Sequence, residues 1–338
     1  MSVLIIDDSA VMRRLIRAAL ATDRRLLVVG EAADPIEARG KIKALNPDVL
    51  TLDVEMPRMN GLEFLERLMR LRPMPVVMVS SLTMTGSAAA IEALSLGAID
   101  CVGKPSDPRE TCSFGDIAER IIAAAGARLR TAGSRPHSVS DTPYSPDGRV
   151  VLIGASTGGV EALDTVLGGF PANCPPTLIA QHMPAPFLAS FARRLNDRIR
   201  PSLCLARDGQ TIGPGEIVLA PGGTTHLELT STSPVRCRIV EAANAAGHRP
   251  SVDVLFRSAR HSASSVLAVL LTGMGRDGAE GMAELRRAGA RTLVQDKESS
   301  VVWGMPRVAL ELGAAEDVVP LTGMARAILS RCGTTPRT

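Results

Sequence analysis

The sequence predicts an α/β protein of two doubly wound domains, the first with five parallel strands and the second Rossmann-like with an antiparallel β insertion. Three observations carry this. A chain of 338 residues suits two domains. Short apolar runs alternate with helix-period segments on both sides of the middle, the pattern of a parallel sheet covered by helices. Between about 126 and 147 that pattern stops, and Pro, Ser, Gly, Thr and Asp take over, as in an exposed connection. The domains are therefore expected over 1–125 and 148–338, with His137 and Tyr144 solvated in the linker.

Composition agrees with this class. Apolar residues make up 45% and charged residues 22%, enough for real cores, and the cores must be aliphatic because aromatics are only 2%. A net charge of +3 without a basic, aromatic-interleaved block argues against nucleic acid as a partner. The six cysteines have no C-x-x-C spacing and read as small buried thiols of a reducing compartment. The N-terminal apolar run is too short for a signal peptide, and no run approaches a membrane span, so a cytoplasmic location is expected.

In the first domain the alternation runs Val3 to Ile6, then Ser9 to Ala21; Leu26 to Val29, then Pro35 to Leu45; Val49 to Leu52, then Gly61 to Leu71. It continues with Pro75 to Val79, Gly86 to Leu96, Ala98 to Val102 and Phe114 to Leu129. Ligands of such sheets sit beyond the carboxyl ends of the strands. There the first strand ends in Asp7-Asp8, the third in Asp53 and the fourth in Ser80, and the fifth runs into Lys104. Carboxylates gathered at one edge repel unless a hard cation joins them, and an oxygen-lined site suits Mg²⁺. An Asp beside such an ion suits phosphoryl acceptance, with Lys104 neutralising the transferred group and Ser80 donating a hydrogen bond.

The stretches LIIDDSAVMRRL, DVLTLDVEMPRMNG, VVMVSS and GAIDCVGKP resemble a response-regulator receiver domain, whose fold is flavodoxin-like. The resemblance implies Asp53 as the phosphorylated residue and Asp7 and Asp8 as the acidic Mg²⁺ pocket. It also implies the main-chain carbonyl of Glu55 as a further metal ligand, and Ser80 and Lys104 as sensors of the phosphoryl group. One position departs. Cys101 stands where receivers usually carry an aromatic residue that changes rotamer on activation, which puts the aromatic relay in doubt here.

The second domain opens on RVVLIGASTGG, a β-branched strand turning through Gly154-Ala155-Ser156-Thr157-Gly158 into a helix. This is the G-x-S-x-G elbow in its strand-turn-helix context, and it suits a reactive Ser156. The same glycine turn also suits a phosphate cradle, although it lacks the P-loop Lys and the spacing G-x-G-x-x-G. A strand from Pro176 to Gln181 follows and ends at His182, where a general base is needed, then a helix from Phe187 to Ile199. Leu203 to Val240 reads as the antiparallel insertion; within it Gly222-Gly223 and His226 either approach the site or make a hairpin turn and a surface histidine, the second being the expectation. Ser251 reads as a helix N-cap. Ser265 to Leu271 is a buried strand that ends in TGMGRDG, where Asp277 suits an orienter of His182 and the Met274 N–H suits an oxyanion donor. Asp253 and Asp296 are competing acids for that role. RTLVQD, Trp303 beside the site and a last helix complete the layer.

The order Ser156, His182, Asp277 is not that of the α/β-hydrolases, whose acid precedes the histidine. The motifs IGASTGG, IAQHMP, APGG, RPSVDVLF, LTGMGRDGAEGM and VVWGMP resemble the catalytic domain of chemotaxis protein-glutamate methylesterases over about 148 to 332. That resemblance implies hydrolysis of glutamate methyl esters on methyl-accepting chemotaxis receptors, with methanol released, and deamidation of receptor glutamines in many members. It implies Ser156, His182 and Asp277 as catalytic residues and Met274 as the oxyanion donor. It needs no cofactor for the hydrolysis, a chemotaxis histidine kinase as phosphodonor, and no insertion into the membrane. Two other readings compete: a nucleotide-binding second domain, and a DNA-binding output, which the lack of a compact recognition-helix module opposes.

Overall fold

A computed structural model of the chain describes residues 1–56, 59–105, 114, 116–127, 144–241 and 247–334. The chain divides into Met1–Gly133 and Ser134–Thr338. Most of the expected linker, His137 included, and Cys112 lie outside the described residues.

In the first unit the order is β1 (Ser2–Ile6), α1 (Ala10–Ala21), β2 (Leu27–Ala32), α2 (Pro35–Leu45), β3 (Val49–Asp53), α3 (Gly61–Leu71), β4 (Val76–Ser80), α4 (Met84–Ser95), β5 (Asp100–Gly103) and α5 (Ile117–Ala125). The five strands form one parallel sheet, ordered β2-β1-β3-β4-β5. β3 and β4 are buried throughout, as expected when helices cover both faces. Four helices begin on a polar side chain that accepts a first-turn N–H: Ser9, Asp34, Asn60 and Thr83. Strand order reverses about β1, so the ends of β1 and β3 flank the switch point where such sheets hold ligands.

The second unit begins with β6 (Val150–Ala155), α6 (Gly159–Gly168), β7 (Thr177–Gln181), α7 (Ala185–Asn196), β8 (Ser202–Leu205), β9 (Glu216–Leu219), β10 (Thr225–Thr232) and β11 (Val235–Glu241). It continues with α8 (Val252–Ser258), a 3₁₀ segment (Arg260–Ser265), β12 (Val266–Leu270), α9 (Ala279–Arg287), β13 (Arg291–Gln295), α10 (Met305–Glu311), β14 (Asp317–Val319) and α11 (Leu321–Cys332). Seven strands make a parallel sheet in the order β14-β13-β12-β6-β7-β9-β8. β6, β7 and β12 are wholly buried. The antiparallel insertion is smaller than expected: among the described strands only β10 and β11 pair that way, with one isolated antiparallel bridge from Thr211 to Arg236, while β8 and β9 join the parallel sheet. Their four-residue runs, SLCL and EIVL, are too short to reveal their partner, and pairing across the sheet decides it. Here the order reverses between β6 and β12, which places the elbow and the TGMGRDG turn side by side at the crevice.

No helix among the described residues is long and apolar enough to cross a membrane. Cys101, Cys174, Cys237 and Cys332 are buried free thiols, and Cys204 is an exposed one. Burial raises the Cys174 and Cys332 thiols to about 12, so neither ionises near neutrality.

Candidate active site

Main-chain bonds between neighbouring strand ends assemble the second unit's crevice. The Ser156 N–H donates to the Thr272 carbonyl at 3.0 Å, tying the elbow to the turn after β12. The His182 N–H donates to the Ala155 carbonyl at 3.0 Å, tying the end of β7 to the end of β6. Between them, Gln181 Nε2 donates to the carbonyls of both Ser156 (2.9 Å) and His182 (3.1 Å). After Ser156 the chain turns sharply through Gly158, at φ +79°. A Cβ there would also lie 2.5 Å from Val301 Cβ, so only glycine fits this N-cap of α6.

The side chains follow. Ser156, His182 and Asp277 are all buried. His182 Nε2 lies 2.7 Å from Asp277 Oδ2. Asp277 also accepts from Ser251 Oγ (2.9 Å), the Val252 N–H (2.7 Å) and the Asp253 N–H (3.0 Å). Burial alone would raise this carboxyl, but the His182 bond and charge and the two main-chain donors hold it down at about 2. The carboxylate is therefore ionised at neutral pH and fixes the proton of neutral His182 on Nε2. That leaves Nδ1 as the lone-pair nitrogen, buried and without a hydrogen-bond partner among the described residues. No hydrogen bond joins it to the Ser156 hydroxyl. The two are brought to adjacent strand ends, and the bond between them remains to form, as is common before substrate binds.

The turn after β12 completes the crevice. Gly273 pairs with Trp303 across a parallel bridge, donates to the Val302 carbonyl (3.0 Å), and accepts from the Gly304 and Met305 N–H groups. The next amide, Met274 N–H, donates to no main-chain carbonyl among the described residues. It is thus free to meet an oxygen of a bound molecule. Lys297 lies over the Trp303 ring, 5.5 Å from its centroid.

The competing acids are engaged elsewhere. Asp253 accepts from the Gly281 N–H (2.7 Å), and Asp296 accepts from the Ser299 N–H (3.0 Å). Ser251 caps α8 through the Val254 N–H and holds Asp277 with the same oxygen. The expectation of a surface His226 is wrong: it is fully buried, and its Nδ1 accepts from the Ser251 N–H at 3.1 Å. A lone histidine in an alternating strand gives no sign of this. Gln181 was missed too, although its place immediately before His182 at a buried strand end was a usable signal.

In the first unit, Lys104 Nζ lies 2.7 Å from Asp53 Oδ2 and 3.0 Å from Asp7 Oδ2. Asp7, Asp8 and Asp53 each offer an oxygen, all within 4.8 Å of one another. Burial raises the Asp53 carboxyl to about 6, with Lys104 pulling against it and the Asp7 charge adding to it. Three hard oxygen donors with excess negative charge fit a divalent cation such as Mg²⁺. Glu55 follows Asp53 and donates its N–H to Asp53 Oδ1 at 3.3 Å. Ser80 stands at the end of β4, but its hydroxyl donates to the Gly86 carbonyl (3.0 Å) and makes no bond to Asp53. Cys101 is buried in β5, facing no solvent.

Against known proteins, residues 3–114 match the response regulator receiver domain and residues 151–328 match CheB methylesterase. A protein from Caulobacter vibrioides named protein-glutamate methylesterase/protein-glutamine glutaminase 1 is 54% identical, over 97% of this chain and 96% of its own. One of the same name from Rhizobium johnstonii is 53% identical, over 97% and 95%. The crystal structure of the Thermotoga maritima CheB methylesterase catalytic domain aligns with a TM-score of 0.52 at 34% identity, covering 55% of this chain and 99% of that one. These matches overturn the nucleotide-binding reading of the elbow. The chain belongs to the CheB methylesterase family, with a response regulator receiver domain preceding the catalytic domain in sequence.

Proposed function

We propose that the protein is a phosphorylation-regulated serine hydrolase that demethylates glutamate methyl esters on methyl-accepting chemotaxis receptors, releasing methanol, and deamidates particular receptor glutamines. The domains are read as receiver 1–125, linker 126–147 and catalytic domain 148–338. The observation that carries the chemistry is Asp277: four donors keep it ionised and hold His182 with Nδ1 open, one strand end from Ser156.

In the reaction, Ser156 Oγ attacks the side-chain ester carbonyl while His182 Nδ1 takes its proton. The carbonyl oxygen becomes an oxyanion that accepts from the Met274 N–H, and Asp277 stabilises the imidazolium. When the tetrahedral intermediate collapses, His182 returns the proton to the departing methoxide, which leaves as methanol. Water, deprotonated by His182, then cleaves the acyl-enzyme, freeing the glutamate carboxylate and restoring Ser156. With a glutamine the same steps release ammonia. No cofactor enters this hydrolysis.

Regulation is assigned to the receiver. Asp53 accepts a phosphoryl group from a chemotaxis histidine kinase in the cytoplasm, and Lys104 and Ser80 respond to it. Asp7, Asp8, Asp53 and the Glu55 carbonyl would hold Mg²⁺, which supplies charge neutralisation at the phosphoryl oxygens when bound. For Ser80 to respond, its hydroxyl must leave the Gly86 carbonyl. The unphosphorylated receiver restrains the esterase, so removing residues 1 to about 140 raises basal activity. An active-site-directed fluorophosphonate tests the nucleophile: labelling should map to Ser156 by mass spectrometry and disappear in His182→Ala. Labelling at another serine would overturn the assignment.

A further inference from the structure

One contact at this site has no part in the steps above. The ring of His248 lies flat against that of His182, with centroids 4.0 Å apart and planes inclined by 16°. His248 is half-buried and stands three residues before Ser251. The segment from 248 to 253 thus delivers a ring to His182 and three donors to Asp277: Ser251 Oγ and the N–H groups of Val252 and Asp253.

A single hydrogen bond fixes one point of an imidazole, not its plane. With Nε2 held by Asp277 alone, the His182 ring can still tilt about that contact and swing Nδ1 away from the serine. A flat partner on one face removes that freedom. It also sets a π-surface over the ring that becomes cationic when the serine proton arrives, an attractive arrangement while the covering ring is neutral.

We propose that His248 is a positioning residue for the ester hydrolysis: stacked on His182, it fixes the plane of the base and keeps Nδ1 aimed at Ser156. This rests on the reading of Ser156, His182 and Asp277 as the reacting machinery. What matters is a flat ring, so phenylalanine serves in its place and alanine does not.

The test uses the full-length protein and methanol release from methylated receptor cytoplasmic fragments, with wild type, His248→Ala, His248→Phe and Ser156→Ala compared. His248→Ala should lower kcat by about tenfold to a hundredfold, the scale of a displaced catalytic group, with KM little changed. His248→Phe should restore kcat to near wild type. In proton NMR of histidine-labelled protein, the low-field Nε2–H resonance of His182 should persist in His248→Phe and broaden in His248→Ala. A His248→Ala enzyme with wild-type kcat overturns the proposal, as does a His248→Phe enzyme that is folded but no better than alanine. Release that survives Ser156→Ala would instead overturn the reading of the site. Serine-dependent release indifferent to His248 removes this inference alone.

Discussion

Asp277→Asn isolates the carboxylate's role with almost no change of shape. In the native protein Oδ1 accepts from Ser251 Oγ and the Asp253 N–H, and Oδ2 accepts from the Val252 N–H and His182 Nε2. An amide must put its NH₂ in one of those two places. Placed at Oδ2, it faces the Val252 N–H and forces His182 to carry its proton on Nδ1, the nitrogen that should receive the Ser156 proton. Placed at Oδ1, it faces the Asp253 N–H and leaves only a neutral oxygen to support the imidazolium. Either way one buried N–H loses its acceptor, at a cost of about 1–3 kcal/mol. Lowering the carboxyl from 3.8 to about 2 is itself linked to stability on the order of 2 kcal/mol. Because the native value lies below the unfolded one, that contribution is present above pH 3.8 and lost as pH falls toward 2. The variant should therefore unfold more easily in urea at pH 7, with the difference shrinking below pH 3.8. Its kcat for methanol release should fall by about 10²–10⁴, as for a triad whose histidine is held in the wrong tautomer. Turnover within threefold of wild type, with an unchanged urea midpoint, would refute the argument that Asp277 sets the tautomer.

Three further outcomes are expected. Gly273→Ala places a Cβ 2.3 Å from Met305 Sδ and 2.7 Å from Ser156 Cβ, so a folded variant should lose kcat through displacement of the serine, read by fluorophosphonate labelling rate. Gln181→Glu sets a carboxylate against two carbonyl oxygens, so it should lower the melting temperature more at pH 8 than at pH 5, where protonation restores one donor. Asp53→Asn should stabilise the metal-free protein above pH 6, since a native carboxyl raised to about 6 opposes folding increasingly as pH climbs from 3.8 through 6. A urea-midpoint difference between Asp53→Asn and wild type that does not grow over that window would contradict the origin given for the shift.

The sequence made the fold class legible because buried strands here are uninterrupted apolar runs, such as VVLIGA and VLAVL, closed by glycine or acidic residues. It was less informative where elements are short: β8 and β9 carry no mark of the strand each will pair with. Residues at strand ends could be nominated because the ends of parallel strands converge. Asp277 could be nominated as the orienter of His182, but the donors that fix it come from the start of α8, some 25 residues earlier in the chain, which its own turn does not reveal. His226 could be nominated only as one of two alternatives, and His248 not at all, for a different reason. Each is a single histidine in a polar or alternating stretch, and its importance comes from a partner in another element, Ser251 for one and His182 for the other. Cys101 departs from the receiver pattern rather than from any physical rule, and its burial within β5 offers no swinging group to replace the aromatic.

We propose that Ser156 cleaves a receptor ester under control of Asp53. The most direct test is methanol release from methylated receptor cytoplasmic fragments by wild type, Ser156→Ala and Asp53→Asn, each with and without a small phosphodonor and Mg²⁺. Release should vanish in Ser156→Ala, rise with the phosphodonor in wild type, and not respond to it in Asp53→Asn. Release that persists in Ser156→Ala, or a phosphodonor response that survives Asp53→Asn, would contradict this proposal.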